Sequence, residues 1–132
     1  MPQAEDIVIN NGAGTPVAKT FTLLAPAAGD NAIASWALKE GTISSIFPRI
    51  TALARATGNA SRKSQTKLVI PSSYTDTVTG LTKVGSRFEA DISVTVPDDF
   101  PEALKNDAVA FVKNLAANTI IQAVMRDGLP AS

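Results

Sequence analysis

The chain predicts an α+β fold in which six extended segments precede two helices. Three observations lead there. Residues 87–96 alternate strictly between apolar and polar, the period of a strand with one wet face. After Pro97 the apolar spacing changes to that of a helix. Before Pro97, clusters of Gly, Pro, Asn and Ser divide the chain into short runs. Strands followed by helices, without alternation of the two, make an antiparallel sheet with helices on one face.

The first element is a β-hairpin. Residues 6–10 and 17–24 flank the segment NNGAGTP, whose Asn and Gly tolerate positive φ. Within the second strand Phe21 and Leu23 point one way and Thr20, Thr22 and Leu24 the other. The breaker-rich stretch 25–30 ends it. A short strand at 33–38 places Ala34, Trp36 and Leu38 on one face, with Trp36, the only Trp, reading as a packing residue. Residues 41–48 lead into two further strands, 50–56 and 64–70, joined by the turn-rich TGNAS. A long polar loop is expected at 71–85, and the alternating strand 87–96 follows.

Beyond Pro97, Asp99 and Glu102 have the spacing of a capping box and place carboxylates where the helix dipole favours them. Leu104, Ala108, Phe111 and Leu115 form an apolar stripe, which Val109, Val112 and Ala116 widen, with Lys105 intruding in the first turn. An arc of that width exceeds what contact with one sheet needs, and predicts a second surface, such as another subunit. Asn118 or Thr119 caps a second helix over 120–125, and the sequence DGLP ends it.

Composition narrows the function. The chain has 132 residues, 12 cations, 12 acids and no net charge, so it fits one domain with a core of its own. Cys and His are both absent, which removes disulfides, thiolate metal sites and the commonest general base. An enzyme, a metal site and a cofactor are therefore not expected. Asp98 and Asp99 lack further ligands at useful spacing, Ser72, Ser73 and Tyr74 lack a His partner, and no glycine-rich phosphate loop occurs. The first residues are acidic and polar, unlike a secretory signal, and no apolar run reaches the roughly 20 residues of a membrane span.

Against this neutral background, residues 49–67 hold five cations, Arg49, Arg55, Arg62, Lys63 and Lys67, and no acid. Strand alternation puts Arg49, Thr51, Leu53 and Arg55 on one face, and Lys63, Gln65 and Lys67 on one face of the next strand. Such a surface suits a phosphate backbone. A solvated face with charges that discourage edge pairing accounts for it equally. Glu89 and Asp91 on the last strand repel phosphates but accept hydrogen bonds from base amino groups, so the mixed face favours single-stranded or structured RNA over duplex.

From Arg49 to Pro97 the chain resembles the coat proteins of single-stranded RNA bacteriophages, the leviviruses. The run RITALARATGNASRKSQTKLVIP, ending at Pro71, is similar to the family's paired RNA-facing strands. TDTVTG at 75–80 is similar to a loop that meets its symmetry mates around capsid axes, and ADISVTVP at 90–97 to the following strand. Two helices and a GLPAS tail complete the same order.

The resemblance implies an N-terminal hairpin (1–24), a five-stranded antiparallel sheet (32–96, with the loop 71–85) and two helices (98–127), all in one coat-protein domain, 1–132. It implies an obligate homodimer whose helices interlock, and dimers that assemble in the bacterial host cytoplasm into an icosahedral virion shell around single-stranded RNA, with no membrane partner. It also implies an RNA hairpin bound as translational operator. The family's cationic positions fall on Arg49, Arg55, Lys63 and Lys67, and its base-pocket hydroxyl and lysine on Thr51 and Lys67. Gln65, Glu89 and Asp91 take further polar positions of the RNA face, and Arg62 joins them by charge. Thr75, Asp76, Thr77, Val78, Thr79 and Gly80 carry the contacts between dimers. Three departures stand out: Leu53 replaces a small hydroxyl residue, Gln65 another polar residue, and Glu89 a Tyr that stacks on a base, a contact worth about 1–3 kcal/mol. The alternative within the same chemistry is a free dimeric regulatory RNA-binding module without a shell.

Overall fold

The computed structural model describes residues 3–132, so the first two residues of the expected N-terminal segment lie outside it. The chain divides into two compact units at the boundary between Val96 and Pro97. The first holds strands β1 (Ile7–Asn10), β2 (Ala18–Ala25), β3 (Ile33–Ala37), β4 (Arg49–Ala56), β5 (Ser61–Thr75) and β6 (Thr82–Pro97), with a 3₁₀ turn at Ser44–Ile46. The strands lie in chain order in a six-stranded sheet. Pairing is antiparallel from β1 through β5, so each connection is a hairpin. Because β2 pairs with both β1 and β3, the opening hairpin and the expected five-stranded sheet are continuous.

Local chemistry explains the turns. Asn11 closes the first, its side-chain oxygen accepting from Val17 N at 3.0 Å and Ala13 N at 3.2 Å. Between β4 and β5, Thr57 N donates to Ser61 O at 3.1 Å, and Gly58 takes a φ of 85° that a side chain would resist. In β2 the register shifts between Leu23 and Ala25, a bulge that gives Ala25, not Leu24, the place opposite Ser35.

The core lies on one face of this sheet. Phe21, Ala34, Trp36 and Ile50 are buried together, with Ala4, Ile7, Leu23, Ala27, Leu38, Ala52 and Leu68 packed around them. Trp36 has the expected packing role, and its indole Nε1 donates to Glu5 O at 2.7 Å, so its one polar atom is satisfied. Asp6 Oδ1 accepts from Leu23 N at 2.8 Å and ties the N-terminal segment to β2.

The expected loop at 71–85 requires correction, since strand structure runs through most of it and only 76–81 is a turn. Pro71 makes the stretch read as a breaker. The β4–β5 pairing ends at Arg49 and Val69, however, so Pro71 lies beyond the end of β4 and its missing N–H costs no bond on that side. Ser72 Oγ donates to Ser86 O at 2.8 Å across the ribbon. With no core to cover, an exposed two-stranded ribbon accepts polar residues on both faces.

The second unit holds α1 (Glu102–Ala116) and α2 (Thr119–Asp127), bent by 57° at the break between them. The Asp99–Glu102 capping box does not form. Pro101 occupies the N-cap with ψ of 127°, no side chain caps the helix, and Glu102 instead pairs with Lys105 at 2.8 Å. Proline disfavours helical geometry in the residue before it, so the helix starts after Pro101 and leaves Asp99 outside. Asn118 is the N-cap of α2, accepting from Ile120 N at 2.9 Å, and Gly128 ends it in the left-handed region with φ of 68°. No residue of either helix is buried, and Phe111 is 73 % exposed. Among the described residues no single helix is long and apolar enough to cross a membrane.

Candidate nucleic-acid interface

The register of β4 and β5 builds a ladder of polar pairs on the face away from Trp36. Thr51 lies opposite Lys67, Leu53 opposite Gln65, and Arg55 opposite Lys63, with Arg49 opposite Val69. Directly opposite residues in an antiparallel pair share a face, so Arg49, Arg55, Lys63 and Lys67 are brought together as expected. On the other side of β4, Ser35 lies beside Thr51 and Ile33 beside Leu53. The intervening residues Ile50, Ala52 and Leu68 point to the core, and that alternation holds the ladder outward.

The cations of the ladder lack ion pairs among the described residues. Arg55 and Lys63 are like charges directly opposite, an arrangement that weakens a sheet. Among the described residues, ion pairs hold Lys19 to Glu40, Arg62 to Asp30, Lys83 to Asp76, Lys105 to Glu102 and Arg126 to Asp127. None of these pairs engages Arg49, Arg55, Lys63 or Lys67. Arg49 instead donates from Nη2 to Ser44 O at 3.3 Å. β6 brings Asp91 to the same face, where Gln65 Nε2 donates to Asp91 Oδ2 at 2.8 Å. Strand alternation puts Glu89 on that face as well, exposed.

Arg62 departs from the expectation. It pairs across β4 with Ala56, one position out of phase with Lys63, and so lies on the opposite face. There its guanidinium grips Asp30 with two bonds, Nη2 to Oδ1 at 2.6 Å and Nη1 to Oδ2 at 3.3 Å. The Arg62 hydrogen bond holds the Asp30 carboxyl below the usual carboxylate range. Charge alone groups Arg62 with the ladder, whereas its parity along β5 is the signal that separates it.

The segment Thr75–Gly80 forms the tip of the β5–β6 hairpin. Asp76 organises it: Oδ1 accepts from Val78 N at 2.8 Å and Thr79 N at 3.4 Å, while Oδ2 meets Lys83 Nζ at 3.0 Å. Gly80 N donates to Asp76 O at 2.7 Å, with Gly80 at a φ of 72°. Lys83, and then the amide of Val78, hold the Asp76 carboxyl below the usual range. The turn thrusts Val78 outward, 91 % exposed. Among the described residues no group of three or more acids is placed to hold a metal ion.

The family model for levivirus coat proteins matches residues 2–128. The chain belongs to the levivirus coat protein family. It is thus a structural component of a bacteriophage virion capsid and not an enzyme. Solved structures share the fold of this coat protein. The virus-like particle of bacteriophage NT-214 is similar with a TM-score of 0.87 at 19 % identity, covering 99 % of this chain and 100 % of that one. The virus-like particle of Beihai levi-like virus 21 gives 0.84 at 19 % identity, with 99 % of each chain covered. The bacteriophage GA protein capsid gives 0.66 at 27 % identity, with 91 % and 92 % covered. Comparison with curated protein sequences finds no match.

Proposed function

We propose that this coat protein acts as one domain over 1–132, forms interlocked dimers, and assembles as an icosahedral shell around single-stranded RNA with the β4–β5 ladder turned to the RNA. The observation that carries the reading is the ladder itself: Arg49, Arg55, Lys63 and Lys67 share a sheet face and none enters an ion pair among the described residues. Phosphates are the missing counter-charge. Thr51, Gln65, Glu89 and Asp91 supply hydrogen-bonding groups to bases, whereas Arg62, bonded to Asp30, stands apart from this set. An RNA operator hairpin would dock on the same face.

Two features support the dimer and its assembly. The apolar arc of α1, including Val109 and Phe111, is exposed, and on the sheet's other face an open groove of about 670 Å³ is lined by Ala34, Trp36, Ala52 and Ala54. Helices of a second copy cover such a surface. The solved relatives include virus-like particles, and the exposed hairpin tip at Thr75–Gly80, with Asp76, Thr77, Val78 and Thr79, fits contacts between dimers. Electron microscopy of protein purified from expressing bacteria, with its absorbance at 260 nm, tests the reading. Closed particles carrying RNA are expected. RNA-free dimers that never assemble across a range of salt would overturn it. Deleting residues 75–80 separates shell from free module: particles should be lost and dimers kept.

A further inference from the structure

We propose that Asn11, in the turn of the β1–β2 hairpin, is a spontaneous deamidation site: the main-chain nitrogen of Gly12 attacks its side-chain amide, and the folded chain acquires a carboxylate there. The inference stands apart from RNA binding and assembly.

The sequence singles out Asn11. Of the seven asparagines it alone precedes a glycine. The other six precede residues that carry a side chain, and Asn106 and Asn114 lie within α1, where main-chain N–H groups serve the helix. A residue without Cβ leaves its nitrogen open to approach. The structure adds three conditions. Residues 11–18 are exposed, and an added Cβ at Gly12 would meet nothing within 4 Å, so no neighbour blocks the attack. Among the described residues no hydrogen bond engages Gly12 N, the nucleophile, or Asn11 Nδ2, the leaving nitrogen. Asn11 Oδ1, by contrast, accepts from Ala13 N at 3.2 Å and Val17 N at 3.0 Å. Two N–H groups aimed at one carbonyl oxygen draw charge from Cγ and stabilise the negative charge that develops on Oδ1 during the attack.

The reaction needs no partner but water. The bond between Gly12 N and Asn11 Cγ forms, the Cγ–Nδ2 bond breaks, and the Gly12 amide proton passes through solvent to the departing ammonia. The chain is left with a cyclic imide, a succinimide. Water then adds to one of the two ring carbonyls. Breaking the bond from Gly12 N to Cγ gives aspartate. Breaking the bond from Gly12 N to the main-chain carbonyl carbon of residue 11 gives isoaspartate, in which the chain runs through Cγ. The turn keeps its acceptor in either case. In aspartate, Oδ1 is a carboxylate oxygen and a stronger acceptor for the same two N–H groups. In isoaspartate it is a main-chain carbonyl oxygen, and the freed carboxylate carries the charge. Both products turn a chain of zero net charge into an anion at neutral pH.

The test holds full-length protein at neutral pH and physiological temperature, native in one series and unfolded in urea in another, with peptide mapping by mass spectrometry over days. Native protein should convert Asn11 before any other asparagine, take up heavy oxygen from labelled water at that residue, and gain a matching acidic band on isoelectric focusing. Gly12→Ala should slow the conversion roughly tenfold. Gly12 lies outside the left-handed region and a Cβ there meets nothing, so this variant keeps the turn. Gly14→Ala, which leaves the Asn–Gly pair intact, should convert at the unmodified rate. Asn11→Asp, one product made directly, should retain hydrogen-bonded amides at Ala13 and Val17 in NMR spectra, and their loss would overturn the claim that the turn keeps its acceptor. Native protein that holds the Asn11 amide while the urea-unfolded chain loses it would mean that the turn protects the residue, and would overturn the proposal. First conversion at another asparagine, or an unchanged rate in Gly12→Ala, would overturn it as well.

Discussion

At the scale of single residues, the sheet face is defined by which cations have partners. Among the described residues no ion pair engages Lys67 or Arg55 in the ladder, whereas Arg62, a neighbour in sequence, is bonded to Asp30. Lys67→Ala and Arg55→Ala should each weaken RNA binding and lower the slope of log affinity against log salt by about 0.7 to 0.9, the loss of one phosphate contact. Arg62→Ala should leave that slope unchanged. Titrations of the three variants in parallel check the contrast, and equal slopes for all three would return the ladder to a solvated face. Strand parity, a property of residue spacing alone, groups Arg49 with Arg55 and Lys63 with Lys67, and the β4–β5 register brings the two groups to one face. It does not reveal Asp30 as the partner of Arg62, because that contact joins residues 32 positions apart through a loop whose path no local pattern encodes.

At the scale of elements, the β5–β6 hairpin depends on a carboxylate at its tip. Lys83 and the amides of Val78 and Thr79 favour the ionised form of Asp76, which lowers its pKa in the folded chain. A depressed folded pKa means that the stabilisation is complete above the ordinary aspartate range and is lost as pH falls through the folded value. In an acid titration followed by NMR, the Val78 amide should shift with a midpoint below that of an ordinary aspartate, and Asp76→Asn should remove the transition. An unperturbed midpoint would remove Asp76 from its organising role. The hairpin also shows where local reading fails. Pro71 and the Ser-rich stretch after it have loop chemistry, yet they sit in a ribbon with no core to fill, so β-propensity and polarity decide little. Likewise Asp99 has the spacing of a cap, but Pro101 moves the helix start past it. Asn118 and Gly128 are legible because their roles are set within a single turn of chain.

At the scale of the whole molecule, zero net charge conceals segregation. A basic ladder, without ion pairs among the described residues, occupies one sheet face, the core and a largely apolar groove lie on the other, and the two helices expose an apolar arc. The arc is visible in the sequence as a stripe too wide for one contact, and no residue of either helix is fully buried. Phe111→Asp places a charge in that arc. If a second copy covers it, dimers should lose about 2 kcal/mol or more of stability, and particle yield should fall, in sedimentation of matched preparations. Unchanged sedimentation would mean that the arc faces solvent.

Whether the ladder is the wall facing the RNA is tested most directly by ultraviolet cross-linking of purified particles, followed by mass mapping of ribonucleotide-bearing peptides. Adducts are expected within residues 49–67 and 87–91 and not within 102–127. Particles free of RNA, or adducts confined to the helices, would contradict it.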